Sequence, residues 1–290
     1  MSDVQVLGLC RWSYPAAPEA FKAQFGTEID DIRAAVYAPE RLELRLFFLE
    51  HVVLPSLRAQ SDQDFRIVML MGETLPEPYR GRVLDLIADL PQFLPVFAPE
   101  GQNQMEVCHR VMMAGREPDR PVSAEFWCDD DDAVAIDFVR RTRHMFRSMR
   151  PFYDEAGKAA LDFNNGIMLK SSLNGQLDLV PVVARQWTPG LVHYLPTERD
   201  ATLTNFHHAR LWMRFVTLSW PRKTMFIRGT HEFNVSSVNR KPHNATIQKT
   251  DPAKLPAVME SRFRIDVDAL EAEWRRRCEA GLFGEPAGKG

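Results

Sequence analysis

Residues 124–133 read AEFWCDDDDA, a short, mostly apolar run that ends at four consecutive aspartates. A run of this kind is typical of a strand that is covered on both faces, as in a parallel sheet. Aspartate has a poor strand propensity, so the first aspartate marks the end of the strand. Because ligands of open α/β sheets bind outside the carboxyl ends of the strands, this stretch also predicts where a binding site lies.

The sequence before this stretch alternates predicted strands and helices. Three apolar runs bounded by turn residues are predicted strands: residues 4–9, 65–71 and 93–97. Four segments with apolar residues three or four apart are predicted helices: residues 40–59, 77–89, 103–115 and 134–149. Pro55 is expected to kink or end the first of these helices. The alternation is typical of an α/β domain with a largely parallel sheet.

After residue 150 the pattern changes to short β-rich pieces separated by turns. Residues 266–280 are predicted to form a charged helix, and residues 281–290 to form a frayed tail.

Composition excludes several classes of protein. The 290 residues carry 36 basic and 39 acidic side chains, a net charge of −3, which argues against nucleic-acid binding. The four cysteines, at 10, 108, 128 and 278, form no C-x-x-C pair, so they indicate reduced intracellular thiols. The first residues do not resemble a secretion signal, and no apolar run approaches the length of a membrane span. We therefore expect a cytoplasmic protein without a transmembrane segment.

The four aspartates predict a metal site. Neighbouring carboxylates repel one another when partly buried, and a hard divalent cation such as Mg²⁺ or Mn²⁺ removes that repulsion. On an extended segment Asp129 would point with Asp131, and Asp130 with Asp132. The structural alternative is that Asp132 caps a helix beginning near Ala133, with its acidic neighbours favoured by the helix dipole. The two interpretations are compatible.

At this point the sequence resembles a known family. A hydrophobic strand closing in D-x-D-D is similar to the metal and nucleotide-sugar motif of GT-A glycosyltransferases. Residues 54–62 (LPSLRAQSD) followed by FRIV at 65–68 resemble the helix, turn and second strand of family-two-like glycosyltransferases. With Arg45 and Phe47 ahead of these segments and FWCDDDDAV behind them, the chain most resembles a family of bacterial rhamnosyltransferases. The matching segments span roughly residues 40–145.

The resemblance implies the fold class α/β, as a GT-A-like single domain. Its mostly parallel central sheet would be flanked by helices, and its second half would be β-rich and serve the acceptor. On this division residues 1–150 form the nucleotide-sugar-binding half, residues 151–265 form the acceptor-side half, and residues 266–290 form the C-terminal helix and tail.

The resemblance also implies an activity. A sugar, with rhamnose as the candidate, would pass from a nucleotide-diphosphate donor to a hydroxyl of a saccharide or glycolipid acceptor, with inversion and with Mg²⁺ or Mn²⁺. Asp129 and Asp130 would face the donor, Asp131 would bind the metal, and Asp132 would add a ligand through water. One departure concerns the base and ribose, since Met71-Gly72-Glu73 stands where the family often has acidic residues.

Further donor contacts are predicted from position. Arg11 and Trp12 follow the first strand, where Arg11 could reach a phosphate and Trp12 or Tyr14 could stack on a base; the alternative is a surface turn. Lys241 and His243 lie in a late polar segment that could bind the diphosphate and the metal; the alternative is a solvated loop.

The catalytic base is predicted to be a carboxylate of the second half, with Asp162 and Asp200 as candidates beside Asp154 and Glu198. Arg140, Arg143 and Arg147 share one face of a predicted helix. That face either contacts anionic lipid, as a peripheral contact at the inner membrane face, or is simply solvated.

Two other functions use the same residues. A Mg²⁺-dependent nucleotidyl- or phosphotransferase would place a nucleoside triphosphate on the aspartates, although no G-x-x-x-x-G-K-[ST] motif is present. A non-catalytic module that binds a saccharide or a protein would use the aspartates only as a helix cap.

Overall fold

The computed structural model describes residues 3–21, 24–231 and 245–284. The strands in these residues are β1 (Val4–Arg11), β2 (Arg66–Gly72), β3 (Phe93–Ala98), β4 (Val122–Trp127), β5 (Ala133–Val134), β6 (Ala159–Asp162), β7 (Asn165–Ser171), β8 (Leu177–Ala184), β9 (Leu191–Pro196), β10 (Val216–Ser219), β11 (Phe226–Thr230) and β12 (Ala245–Ile247). The α-helices are α1 (Ile29–Val36), α2 (Pro39–Phe48), α3 (Leu54–Arg58), α4 (Tyr79–Ile87), α5 (Gln104–Gly115), α6 (Phe138–Ala156), α7 (Leu255–Phe263) and α8 (Val267–Glu279).

The larger sheet, as far as the structure describes the chain, has seven strands in the order β10-β6-β9-β4-β1-β2-β3. Only β9 runs against its neighbours, β4 and β6; the other adjacent pairs are parallel. The remaining six strands therefore end at one edge, which we call the carboxyl edge. This arrangement confirms the α/β, GT-A-like class with a mostly parallel central sheet.

Helices cover both faces of this sheet, which explains the continuous apolar strands. Val6 of β1 packs with the buried residues of α2, α3 and α6, whereas Leu7 packs with those of α1 and α5. Successive strand residues point to opposite faces, so a strand between two helical layers needs apolar residues at both parities.

A smaller sheet has the described strand order β12-β8-β7-β11-β5. Its strands all come from the second half except β5, which follows the four aspartates directly and pairs antiparallel with β11. This short pairing fixes the acidic segment between the two sheets. The predicted boundaries at residues 150 and 265 stay a prediction, and both halves contribute strands to the larger sheet.

Two predicted helices differ in detail. The helix over 40–59 contains a wider π-helical turn at Leu49–Val53, just before Pro55. Proline lacks the N–H that an α-helix needs and crowds the preceding turn, so the helix widens there. The helix predicted over 134–149 begins at Phe138 instead and continues through Pro151 to Ala156, because Ala133 and Val134 pair with β11.

The end of the described chain is packed rather than frayed. Phe283 is fully buried and stacks on Trp274 of α8, with ring centroids 4.9 Å apart. The four cysteines are free thiols. Within the residues described, no helix is both long enough and apolar enough to cross a bilayer.

Candidate functional site

The four aspartates form a turn at the carboxyl edge. Cys128 N donates to Leu9 O at 2.9 Å and continues the β1–β4 ladder, and Asp132 N then donates to Asp129 O at 3.1 Å. The predicted extended alternation is therefore wrong. Because the chain turns, Asp129, Asp130 and Asp131 face one cavity together, and Asp132 turns away from it.

This cavity has a volume of about 450 Å³, and we call it the cleft. Besides the three aspartates, its described lining includes three arginines and several uncharged residues. They come from β1 and the chain after it, α2, α5 and the chain after β9: Arg11, Arg41, Arg45, Ser13, Tyr14, Phe21, Gln104 and His208. Residues far apart in sequence thus meet at the carboxyl end of β4, where the sequence predicted a binding site.

Arg11 and Asp129 form a bidentate pair at the mouth of the cleft. The Arg11 Nη2 donates to both carboxylate oxygens, at 3.1 and 2.8 Å, and its Nε donates to Oδ1 at 3.2 Å. The guanidinium also lies over the Trp127 ring, 4.7 Å from its centroid. Both side chains stay partly exposed, so they remain accessible to a ligand.

Arg41 and Arg45 approach the aspartates from one face of α2. Arg45 forms an ion pair with Asp130. Burial raises the pKa of Asp130, and the Arg45 guanidinium opposes that rise. Burial and, to a smaller extent, the nearby charge of Arg45 lower the pKa of Arg41 to about 9. Asp130 Oδ2 is a buried atom without a hydrogen-bond partner among the described residues.

Asp131 lies between the cleft and the second sheet. Its Oδ2 is 3.2 Å from Nε2 of His231, the residue after β11. A Cβ on Gly229 would lie 2.4 Å from the Asp131 backbone oxygen, so only glycine lets β11 approach this closely. Burial lowers the pKa of His231 to about 4, which leaves a neutral imidazole beside the carboxylate.

Asp132 has a structural position. It is 4% exposed, its Oδ1 accepts a hydrogen bond from Gly229 N at 3.2 Å, and it does not line the cleft. Burial raises its pKa well above the usual range. The proposed cap of a helix near Ala133 is wrong, because α6 begins five positions later with Asp137 at its N-cap. The assignment of Asp132 as an additional metal ligand does not fit this placement.

Of the two residues predicted to stack on a base, Tyr14 lines the cleft and Trp12 does not. Trp12 is fully buried in the core on the side of β1 opposite to Arg11, so it offers no surface to a base. Ser13 has φ 51°, a left-handed conformation that is strained for serine, and this turn brings Tyr14 to the cleft. The buried Ser13 Oγ has no described partner, and a strained residue with an unpaired hydroxyl often marks a ligand site.

Asp162 ends β6 at the same edge as Asp129. Through β9, Leu161 is level with Phe126, so Asp162 is level with Trp127 of β4. Its Oδ2 accepts from Gln186 N at 3.1 Å, and its buried Oδ1 has no described partner. Burial raises the pKa of Asp162 to about 7, while the bond from Gln186 and the charge of Arg185 act against the rise.

Asp200 lies elsewhere. It follows the end of β9, where Pro196 pairs with Val122 at the edge opposite to the cleft. Its side chain is 91% exposed and lies 3.0 Å from His109 Nε2. Because β9 is antiparallel, its end leads away from the carboxyl edge, and Asp200 does not fit the predicted role of base. Lys241 and His243 lie outside the described residues.

The site also includes Arg41 and Arg45, which were not predicted from the sequence, and His231. Two arginines four positions apart share one helix face, and the excess of acid at 129–132 required nearby cations. That spacing was the available signal. Nothing in the sequence indicated that β11 would bring His231 to Asp131, since the pairing with β5 involves only two residues.

The strand order and the acidic turn place the molecule in the GT-A-like class of α/β proteins. The model of the family described as "Putative rhamnosyl transferase" matches residues 5–243, and the chain belongs to that family. A comparison with curated proteins found no match.

Solved structures with a similar arrangement include S. aureus TarS, at 12% identity and a TM-score of 0.35, over 79% of this chain and 37% of that one. The match therefore spans little more than a third of that protein. S. aureus TarS 1–349 in complex with UDP-GlcNAc matches at 10% identity and a TM-score of 0.38, over 96% of this chain and 70% of that one. A "putative nucleotide-diphospho-sugar transferase" from Desulfovibrio desulfuricans G20 matches at 9% identity and a TM-score of 0.35, over 94% of this chain and 99% of that one.

Proposed function

We propose that this protein is a metal-dependent, inverting glycosyltransferase that moves a sugar from a nucleotide diphosphate to an acceptor hydroxyl. The observation that carries the proposal is the cleft, in which three arginines and three aspartates meet at the carboxyl edge of a GT-A-like sheet. The family description supports rhamnose as the sugar. We further propose that it works in the cytoplasm, in the synthesis of a surface polysaccharide or glycolipid.

The charges of the cleft support the need for a cation. Arg11, Arg41 and Arg45 balance the three lining aspartates, so the described lining has no positive excess. A bound diphosphate would add negative charge to a partly buried place, which is unfavourable without a counterion. A divalent cation restores the balance, and this is the electrostatic argument for Mg²⁺ or Mn²⁺.

The residues beside Asp131 fit such a cation. Among the residues described, no three acidic, histidine or cysteine side chains converge as a ready metal site. Mg²⁺ commonly takes only one or two protein carboxylates and completes its shell with water and substrate phosphates. Asp131 and the neutral His231 offer two neighbouring donor atoms, 3.2 Å apart. A bound cation would act as a Lewis acid that stabilises the departing diphosphate.

The chain's own groups supply binding and proton transfer. Arg11 and Arg45 can exchange part of their contact with the aspartates for charge-assisted hydrogen bonds to the diphosphate. Tyr14 and Phe21 offer aromatic surface to the nucleoside at the same cavity.

Asp162 is the proposed base. As the acceptor oxygen forms its bond to the anomeric carbon, the bond from that carbon to the diphosphate oxygen breaks, and its electron pair leaves with the diphosphate. The acceptor proton passes to Asp162 Oδ1, the oxygen without a described partner. Attack on the face opposite the leaving group inverts the anomeric configuration.

The test is a screen of sugar nucleotides by thermal shift and by release of nucleoside diphosphate, with and without Mn²⁺. One nucleotide at about 100 Kd should stabilise the fold by about 2.7 kcal/mol, and only with the metal. Asp131→Asn should abolish the metal-dependent part and lower turnover about 10³-fold, since the metal supplies several kcal/mol. Asp200→Asn, an exposed aspartate outside the cleft, is the matched control and should behave as the parent.

Metal-independent stabilisation that survives Asp131→Asn would contradict metal dependence. Transfer of a phosphoryl or nucleotidyl group, instead of sugar transfer, would contradict the reaction class.

A further inference from the structure

An apolar and basic surface runs along the side of the larger sheet beside the cleft. It consists of exposed apolar residues and exposed cations from a short 3-10 helix, His208–Met213, and from β10 and the chain after it: Trp212, Met213, Val216, Leu218, Arg210, Arg214, Arg222 and Lys223. We call it the edge-strand surface. Trp212 is 60% exposed and Met213 is 64% exposed, the two most exposed large apolar side chains among the described residues.

The exposure of these side chains follows from how the segment is anchored. Leu211 and Phe215 point inward and pack with Ala160 and Leu191 on the sheet, so Trp212 and Met213, between them, must point outward. In the amide orientation that satisfies both ends, Gln186 donates to His208 O at 3.0 Å and accepts from Trp212 N at 3.2 Å. The apolar side chains are therefore displayed from a fixed backbone.

The charge of this region is one-sided. Residues 201–231 contain five arginine or lysine residues and no aspartate or glutamate, although the chain as a whole has a net charge of −3. Arg210, Arg214, Arg222 and Lys223 are exposed, and none of the four forms an ion pair with another described residue. A ligand for this surface must therefore be anionic and must also accept apolar side chains.

We propose that the edge-strand surface docks the protein on an anionic lipid bilayer. Tryptophan is favoured at the membrane interface, where its ring meets acyl chains and headgroups together. Basic residues beside it are attracted to anionic headgroups. The surface adjoins the cleft, because His208 at one end of the 3-10 helix lines that cavity. Docking here would hold the cleft close to the plane of the headgroups.

A second copy of the chain fits the surface less well. β10 is the last described strand of the larger sheet, so strand pairing between two copies is geometrically open. A twofold pairing through β10 would, however, bring the unpaired arginines of both copies together, and like charges across an interface are unfavourable.

The arginine face of α6, which the sequence also predicted as a lipid contact, lies near the start of β1, at the end of the strands opposite to the cleft. Arg143 of that helix donates to Val4 O at the start of β1 and pairs with Asp62 and Asp64. Arg150 pairs with Asp3 at 3.3 Å. This face is partly neutralised and far from the cleft along the strands, so it serves as the internal control.

The test is co-sedimentation of the full chain with vesicles of phosphatidylcholine containing roughly 30% phosphatidylglycerol, compared with pure phosphatidylcholine. The parent protein should bind the anionic vesicles, and added salt should weaken the binding. Arg210→Ser with Arg214→Ser should weaken it about 25-fold, from about fivefold for each cation. Trp212→Ser with Met213→Ser should weaken it at least about tenfold.

The matched control is Arg147→Ser with Phe152→Ser, one exposed cation and one exposed aromatic residue of α6, which should bind as the parent does. Absence of binding by the parent, or equal loss in the control, would overturn the proposal. The proposal would also be overturned if sedimentation velocity showed a concentration-dependent dimer that Trp212→Ser dissociates and if vesicles did not shift the equilibrium between monomer and dimer. Vesicle binding needs no sugar donor, so the result is independent of the proposed reaction.

Discussion

Two clusters of arginine and carboxylate lie along β4, one in the middle of the strand and one beyond its carboxyl end, and they differ in how completely their polar atoms are satisfied. Glu125, in the middle of the strand, pairs with Arg116, whose guanidinium also donates to the carbonyl groups of Thr197, Arg199 and Ala201. Both side chains are almost inaccessible. In the cleft, by contrast, Asp130 Oδ2 is buried without a described hydrogen-bond partner.

The difference separates a structural network from a binding site. A buried ion pair whose remaining donors and acceptors are all satisfied holds distant segments together, here the chain after β9 against β4. A buried polar atom that lacks a hydrogen-bond partner is unfavourable, and a bound ligand can supply that partner. We therefore expect substitutions in the first cluster to affect stability and those in the second to affect binding and turnover.

The largest expected effect on stability is at Arg116. Arg116→Ala leaves Glu125 charged and without its cation in the core, and burial already raises the pKa of this carboxyl. Removing one partner of a buried pair costs about 3–5 kcal/mol. Urea denaturation should show this loss, and Arg116→Ala with Glu125→Gln should recover part of it. A loss below about 1 kcal/mol would show that the network is not structural.

Substitution of Asp162 should affect stability and turnover in opposite directions, raising the first and lowering the second. Its pKa of about 7 in the folded protein, against 3.8 as the ordinary value, means that ionisation opposes folding as the pH rises from about 4 to 7. Asp162→Asn should therefore be more stable than the parent at pH 8, by up to about 4 kcal/mol, and equal to it near pH 3.5. Chemical denaturation at several pH values measures this difference.

The same substitution should lower turnover by about 10²–10⁴-fold. The parent's kcat/KM should rise with pH around 7, since the base must be ionised, and Asp162→Asn should lose that rise. Asp200→Asn is the control, since its carboxyl group is exposed at the other edge. A parent rate that does not change between pH 6 and 8 would remove Asp162 from the reaction.

The smallest effect should be at Arg41. Arg41→Met keeps the apolar contacts of the side chain and removes a cation whose pKa burial lowers to about 9. The free energy of unfolding should change by less than about 1 kcal/mol, whereas donor affinity should fall about tenfold, measured by calorimetry. Equal affinity with lower stability would place Arg41 in the structural class with Arg116.

Much of this arrangement could be predicted from sequence because it depends on local patterns. The apolar runs of β1 to β4 define the sheet, and the start of the aspartates defines its carboxyl edge, so the meeting of Arg11 with Asp129 follows from register alone. The position of Asp162 also follows once its strand is known to end at the same edge.

The remaining features of the site depend on backbone geometry and packing that the sequence pattern does not reveal. Ser13 adopts a left-handed conformation that serine rarely takes, and this conformation, not the residue type, brings Tyr14 to the cleft. The turn within 129–132 depends on the pairing of two residues, Ala133 and Val134, with a strand almost a hundred residues later. Burial of Arg41 is decided by the packing of α2, which helical periodicity does not resolve.

The reversed strand β9 of the larger sheet also determines a distance. It separates the ends of β4 and β6, so the backbones at Trp127 and Asp162, which are level with each other, are two interstrand steps apart, roughly 10 Å. This distance is fixed because hydrogen bonds join β9 to β4 on one side and to β6 on the other. On the proposed mechanism, the donor sugar and the acceptor hydroxyl would lie between a diphosphate near Asp129 and the proton acceptor Asp162, so this spacing would set the room available to them.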